Sequence, residues 1–178
     1  MKHQPGDTMI PFSLPAIDGT LFDSDSLKGR RYLLSFFRYA SCPFCNLRLH
    51  ELVTRYQELD YAFTIVAVFD SSLENLQRYA QKHHAPFTIL ADQDNACFKL
   101  YEIEHSLPGM LKSMLLHLPA LLDGMILKGY IPWRIKGNMT RMPADFLIDE
   151  NGVIQTAYYG KDAGDHLAFS QIKAFALG

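Results

Sequence analysis

The chain has 178 residues, 48% of them hydrophobic and 20% charged, which is room for one globular domain, taken as residues 1–178, and hardly two. Seventeen Lys and Arg against nineteen Asp and Glu give a net charge of -2. That is no footprint for gripping a phosphate backbone, so no nucleic-acid partner is expected. Three cysteines exclude a disulfide scaffold and a Cys-only zinc cage. The amino-terminal MKHQPGDTMIPFSLP lacks the apolar core of a signal peptide. Lys112, His117 and Asp123 break the best apolar run short of the roughly 18 residues that a membrane helix needs. A soluble, cytoplasmic chain with no membrane partner is the expectation.

Pro11 to Ile17 and Gly19 to Phe22 read as edge strands leading into a sheet. Tyr32-Leu33-Leu34-Ser35-Phe36-Phe37 is nearly continuous in its apolar character, as a strand buried on both faces should be. Leu49, Leu52, Val53 and Tyr56 recur at spacings of three and four, so the spacing predicts a helix from Cys45 to about Leu59. Ala62 to Phe69 reads as a second buried strand. Ser71 and Ser72 offer N-caps for a helix bearing Leu73, Leu76, Tyr79 and Ala80. Phe87 to Leu90 forms a short third strand. Helix-sized crossovers between these strands imply parallel pairing. Asp145 to Ile148 and Val153 to Tyr159 flank a polar, Gly-ended turn and read as a hairpin. A last helix from about Asp165 to Leu177 buries Leu167, Phe169, Ile172 and Phe175. The order is β-α-β-α-β, a long insert, then β-β-α, the signature of an α/β domain.

The insert, about residues 103–140, fits no simple β/α unit. Ser106 caps a helix with Pro108 in its first turn, and Met110, Leu111, Met114, Leu115 and Leu118 give it an apolar face. Pro119 interrupts, Leu121, Leu122, Met125, Ile126 and Leu127 continue the face, and the lone Trp133 follows. A lid, an interaction surface, a homodimer contact or a simple cover over one end of the core all remain open for such a segment.

Cys42-Pro43-Phe44-Cys45 carries the chemistry. It stands where the buried strand ends and the amphipathic helix begins. Amide groups at a helix N-terminus, with the positive end of its dipole, favour a thiolate and lower a cysteine pKa from about 8.5 into a range of roughly 3.5–7.5. Pro43 suits the first helical position, whose N–H has no partner anyway. Cys45, one turn on, is held close enough to attack a mixed disulfide formed on Cys42. A C-x-x-C at such a junction reads as thiol redox chemistry. Half a zinc site is the competing reading, but no H-x3-5-H pair stands ready. His83 and His84 are neighbours that would point about 100° apart on a helix, so no metal is expected. A pair of inert buried thiols is the other. Cys97, in the helical stretch Asn95 to Leu100, reads as a small buried hydrophobe. Met142-Pro143 precedes a strand, a place where proline needs an explanation.

With these residues in view, the chain resembles thioredoxin-fold redox proteins, and among them the alkyl hydroperoxide reductase/thiol-specific antioxidant, or peroxiredoxin-like, branch. The matching pieces are Pro11-Phe12-Ser13-Leu14, Asp18-Gly19, Leu27-Lys28-Gly29, Cys42-Pro43-Phe44-Cys45, Val68-Phe69-Asp70-Ser71 and Met142 to Gly152. The resemblance implies a central mixed sheet flanked by helices, with Cys42 as attacking and Cys45 as resolving thiol. It also implies Pro143 as a cis-proline facing them, with Met142 presenting its backbone to a substrate. The Pro43-Phe44 dipeptide is closer to the glutaredoxin Pro-Tyr pair than to the thioredoxin Gly-Pro pair. One departure stands out. Typical peroxiredoxins carry a proline seven residues, and a threonine or serine three residues, before the attacking cysteine. Here those places hold Ser35 and Tyr39, so the Tyr39 phenol or Ser41 would have to orient a peroxide. Arg38 and Arg141 are the candidates to face the thiolate.

The leading expectation is a thiol-disulfide oxidoreductase: Cys42 attacks a substrate disulfide and Cys45 releases the product, leaving Cys42–Cys45 oxidised. A thiol-dependent peroxidase is the alternative, in which Cys42 becomes a sulfenic acid and condenses with Cys45. A non-enzymatic redox sensor that binds a partner through the insert is a third. The expected redox group is the cysteine pair itself, with no added cofactor. Glutathione or a thiol/disulfide partner protein would serve as reductant.

Overall fold

The strand Tyr32–Phe37 is buried along its whole length, because it lies in the middle of a sheet covered on both faces. A computed structural model describes residues 1–108, 110–111 and 138–178. Most of the long insert, including Met114, Leu115, Leu118, Pro119, Leu121, Leu122, Met125, Ile126, Leu127 and Trp133, lies outside the described residues. In chain order the elements are β1 (Ser13–Pro15), β2 (Leu21–Asp23), β3 (Tyr32–Phe37), α1 (Pro43–Arg55), β4 (Thr64–Phe69), α2 (Leu73–Ala80), β5 (Thr88–Ala91), α3 (Ala96–Leu100), β6 (Ala144–Ile148), β7 (Ile154–Tyr159) and α4 (Phe169–Leu177). Five strands form one sheet in the order β5-β4-β3-β6-β7. The β3–β4 and β4–β5 pairs are parallel, as the helical crossovers require. The β3–β6 and β6–β7 pairs are antiparallel, so β3 is the strand where the two halves of the chain meet.

Alternation along the strands sorts the core into two layers. Leu33, Phe37, Ile65, Ala67, Phe69, Ile89 and Leu147 face Leu49 and Leu52 of α1, Leu76 of α2 and Ile172 of α4. Leu34, Phe36, Val66, Val68, Leu90, Phe146 and Ile148 face Phe12, Leu14, Phe98 and Tyr101. Cys42 and Cys45 lie in the first layer and Cys97 in the second, so the sheet separates Cys97 from the pair. Cys97 is buried among Phe98 and Tyr101, as its apolar neighbours in sequence imply.

Three boundaries differ from the sequence reading. The amino-terminal strands do not join the large sheet: β1 and β2 form their own two-stranded antiparallel sheet, tied to it by a bridge between Ala16 and Leu90. Asp18 closes their turn, accepting from the Thr20 amide at 2.9 Å and hydroxyl at 2.6 Å. Helix α1 ends at Arg55 and tightens into a 3-10 turn over Tyr56–Glu58, since Leu59 is already extended toward β4. Helix α4 starts at Phe169 rather than near Asp165. The Asp165 carboxylate accepts from Tyr158 at 2.6 Å and from the Lys161 amide at 2.8 Å, and the Leu167 amide donates to Asp145 at 2.7 Å. Those bonds hold the approach in a loop.

The resemblance-based expectation of a cis-proline is corrected: the described backbone contains no cis peptide, so Met142–Pro143 is trans. Pro143 is instead fixed by the strand partner opposite. Its carbonyl accepts from the Gly160 amide at 2.9 Å, and a Cβ on Gly160 would stand 2.8 Å from Pro143 Cγ and 2.3 Å from the Asp165 carbonyl. Only glycine fits that approach. Gly160→Ala should therefore cost about 1–3 kcal/mol, read as a lower denaturation midpoint in urea with unchanged slope.

Candidate functional site

The loop Arg38–Ser41 leaves the end of β3 and delivers the chain into α1, with Cys42 as N-cap and Pro43 at the first helical position. No acidic residue occupies the first turn, so nothing competes with a thiolate for the helix dipole. The Cys42 side chain is fully buried and Cys45 is 1% exposed; Pro43 is buried and Phe44 half-buried. Burial alone opposes the charge on Cys42. It is outweighed by a hydrogen bond from the Cys45 thiol, the Arg38 guanidinium and the amides of Cys45 and Phe44, which together bring the Cys42 thiol down to about 6. Cys45 moves the other way: burial and the neighbouring Cys42 push it well above the usual thiol range. The pair is thus one thiolate and one thiol, distinguished by environment and not by type.

Arg38 Nη1 stands 3.5 Å from Cys42 Sγ, and Nη2 donates to the Met139 carbonyl. The guanidinium lies over the Tyr39 ring, 5.4 Å from its centroid. Burial, followed by the nearby Cys42, pushes the Tyr39 phenol far up. The residue three places before Cys42 therefore lies near enough to feel the charge on the sulfur, although it is not a threonine or serine. Ser35, seven places before, is turned elsewhere: its hydroxyl donates to the Asp145 carboxylate.

Arg141 is not brought to the cysteines. Its Nε is 3.4 Å from Asp70 Oδ2, Nη1 donates to the Ile103 carbonyl at 3.1 Å, Nη2 donates to Asn95 Oδ1, and the group stacks on Phe98 at 4.7 Å. Two arginines were candidates by position, and only Arg38 has the reach. Met142 is buried, its amide donating to Glu104, and with Pro143 it lines a separate 280 Å³ hollow beside Tyr159 and Lys161.

Two polar clusters escaped the sequence reading. Asn46 Nδ2 donates to the carbonyls of Ala40 at 2.8 Å and Cys42 at 2.9 Å, clamping the loop onto α1. Asn46 Oδ1 then accepts from His83 Nε2 at 2.9 Å. Burial, with Lys82 and His50 nearby, pushes His83 down to about 4, so the neutral ring donates through Nε2. The signal was an asparagine, a poor helix former, on the buried face one turn after Cys42. The second cluster is Asp145, fully buried in β6, which accepts from Ser35, the Leu167 amide and His166 Nδ1, the last at 3.0 Å. Burial works against its charge, but His166, Arg48 and Ser35 hold its carboxyl below the usual range. A carboxylate inside an apolar strand was the visible clue.

A thioredoxin-fold redox protein is the class that this sheet and this strand-to-helix cysteine pair define. The chain belongs to the AhpC/TSA family, which matches residues 5–157. A relative from Coxiella burnetii whose name marks it as a Bcp peroxiredoxin is 27% identical over 169 residues, covering 94% of this chain and 96% of its own. Peroxiredoxin Bcp of Escherichia coli K12 is 32% identical over 91 residues, 51% of this chain and 58% of that one. Among solved structures, peroxidoxin BcpB from Mycobacterium tuberculosis superposes with a TM-score of 0.69 at 16% identity, covering 97% of this chain and 96% of that one. The protein is accordingly an oxidoreductase of peroxiredoxin type.

If Arg38 is the charge that holds the thiolate, Arg38→Gln should move the midpoint of Cys42 alkylation, followed with iodoacetamide against pH, upward from near 6 by about 1–3 units. Asn46→Ala removes the donor to the buried Ala40 carbonyl and the acceptor of His83 Nε2, while the Cys42 carbonyl keeps the residue-46 amide, and should lower stability by about 1–3 kcal/mol, measured by urea unfolding.

Proposed function

We propose that the chain is a thiol-dependent peroxidase in which Cys42 reduces small hydroperoxides and Cys45 resolves the product. The observation that carries this is the sealing of the Cys42 thiolate beneath Arg38, Tyr39 and Cys45. A hydroperoxide is small enough to enter such a site, whereas a protein disulfide must meet an exposed sulfur. The family and its Bcp relatives support the same reading. The alternative drawn from the sequence thus takes precedence over disulfide exchange, which is kept for the recycling half of the cycle.

The Cys42 thiolate attacks the distal oxygen of R–O–OH. The S–O bond forms, the O–O bond breaks, and the departing alkoxide takes a proton from water to become an alcohol. Arg38, 3.5 Å from the sulfur, and the nearby Tyr39 phenol are the donors this reading assigns to the peroxide oxygens as charge moves onto them. They take the part that the family assigns to a threonine or serine and an arginine. Cys45 then attacks the sulfenic acid, its proton leaves with the hydroxyl as water, and the Cys42–Cys45 disulfide forms. Two equivalents of an external thiol return the dithiol; glutathione is small enough to approach the buried pair, whereas a thiol/disulfide partner protein would need the oxidised pair brought to the surface first. The cysteine pair serves as the redox group without an added cofactor, and such recycling suits a reducing cytoplasm.

Stopped-flow reaction of the reduced protein with hydrogen peroxide tests this. The expected result is a second-order rate at least about a hundredfold above that of a free thiolate, the range of positioned donors. Cys42→Ser should abolish it. Cys45→Ser should react once and accumulate a sulfenic acid that dimedone captures. A free-thiolate rate, or an undiminished rate in Cys42→Ser, would overturn the assignment.

A further inference from the structure

Arg141, kept away from the cysteines, stands at the centre of a second buried network that leads back to them. Its partner Asp70 directly follows β4 and is 4% exposed. The Asp70 amide donates to the Arg38 carbonyl at 3.2 Å, which fastens it to the loop bearing the guanidinium at Cys42. Its carboxylate reaches the other way. Oδ2 accepts from Arg141 Nε and from the Asn138 amide, both at 3.4 Å, and Oδ1 accepts from Asn95 Nδ2 at 3.2 Å. The Arg141 amide donates to the Asn138 carbonyl at 3.2 Å. Thr140 closes the turn onto Asn138 Oδ1, through its amide at 2.9 Å and its hydroxyl at 2.7 Å. Residues 138–141 thus form a tight turn pinned at both ends on one carboxylate.

That turn carries the Met139 carbonyl, to which Arg38 Nη2 donates. Little else orients the guanidinium. Nη1 stands 3.5 Å from Cys42 Sγ, and the buried Nε has no partner among the described residues. The Met139 carbonyl therefore sets which way the rigid fork of donors points. The Arg141–Asp70 pair has side chains only 7% and 6% exposed. Such a pair adds little net stability for the charges it takes out of water, and its better-attested use is to fix one arrangement. We propose that Arg141 and Asp70 are positioning residues for Cys42: they hold residues 138–141 so that the Met139 carbonyl keeps the Arg38 guanidinium turned to the sulfur. The inference rests on Cys42 as the reacting thiolate of the proposed function, and not on which oxidant it meets.

Alkylation of Cys42 by iodoacetamide against pH reads this without a peroxide; the titratable and charged groups at the sulfur are Arg38, Tyr39 and Cys45. Asp70→Asn, which leaves an oxygen in place, should loosen the turn and raise the midpoint by about one unit, a tenfold loss of thiolate below it. The sign is diagnostic. Through the field alone, removing a carboxylate lowers a thiol pKa. Arg141→Gln should raise the midpoint too, and Arg141→Lys, which keeps the ion pair, should stay nearer the wild type. In an Arg38→Gln background Asp70→Asn should add nothing, a coupling that a merely structural role would not produce. Gly160→Ala, which weakens the fold away from Arg38, should leave the midpoint in place. Coupling is reciprocal, so Arg38→Gln should speed amide hydrogen exchange at Arg141, whose N–H is held by Asn138. A fall or no change in folded Asp70→Asn, an equal rise with and without Arg38, or a matching rise in Gly160→Ala would overturn the proposal. So would unchanged exchange at Arg141, whether or not the Asp70 and Arg141 variants fold. A free-thiolate peroxide rate beside the expected alkylation series would defeat the peroxidase reading and leave this one standing.

Discussion

Everything around the cysteines answers one electrostatic demand: a sulfur anion must be held where there is no water to solvate it. Cys42 is fully buried, and burial by itself would leave it a neutral thiol. The charge is instead met by the Cys45 thiol, the Arg38 guanidinium and the amides that open α1. Each of these depends on a different part of the fold. The amides need the helix to start at Pro43, Arg38 needs the last residues of β3 to run on into the loop, and Cys45 needs one regular turn. Asn46 binds the three together by pinning the Ala40 and Cys42 carbonyls.

The same demand explains the division of labour between two chemically identical side chains. The hydrogen bond that lowers Cys42 is the one that raises Cys45, so the pair carries one negative charge and one proton. In a peroxidase cycle that asymmetry is useful. The first residue must be ionised before it meets the oxidant, and the second must keep its proton until the sulfenic acid forms. Cys97 lies on the far side of the sheet among aromatic rings.

Much of this arrangement was legible from residue order. Continuous apolar runs marked β3, β4 and β5, the spacing of Leu49 and Leu52 marked α1, and the strand-to-helix position of Cys42 marked the chemistry. What misled was transfer from the resemblance. Pro143 was expected to be cis and is trans, while Arg141, next to it, is drawn to Asp70 and Phe98. Tyr39, by contrast, stands near the cysteine at the position where the family has a threonine or serine.

The sequence by itself determined the elements and the candidate nucleophile, because helix periodicity, strand burial and the field at a helix N-terminus are set by residues within a few positions of one another. It could not decide which of two arginines meets the thiolate, nor that His83 would support Asn46 across 37 residues, nor that Asp145 and His166 would be joined by a buried hydrogen bond. Those contacts depend on the β3–β6 register and on how α2 and α4 pack against α1. Only the tertiary structure fixes these, since a one-residue slip of a strand turns each side chain to the opposite face.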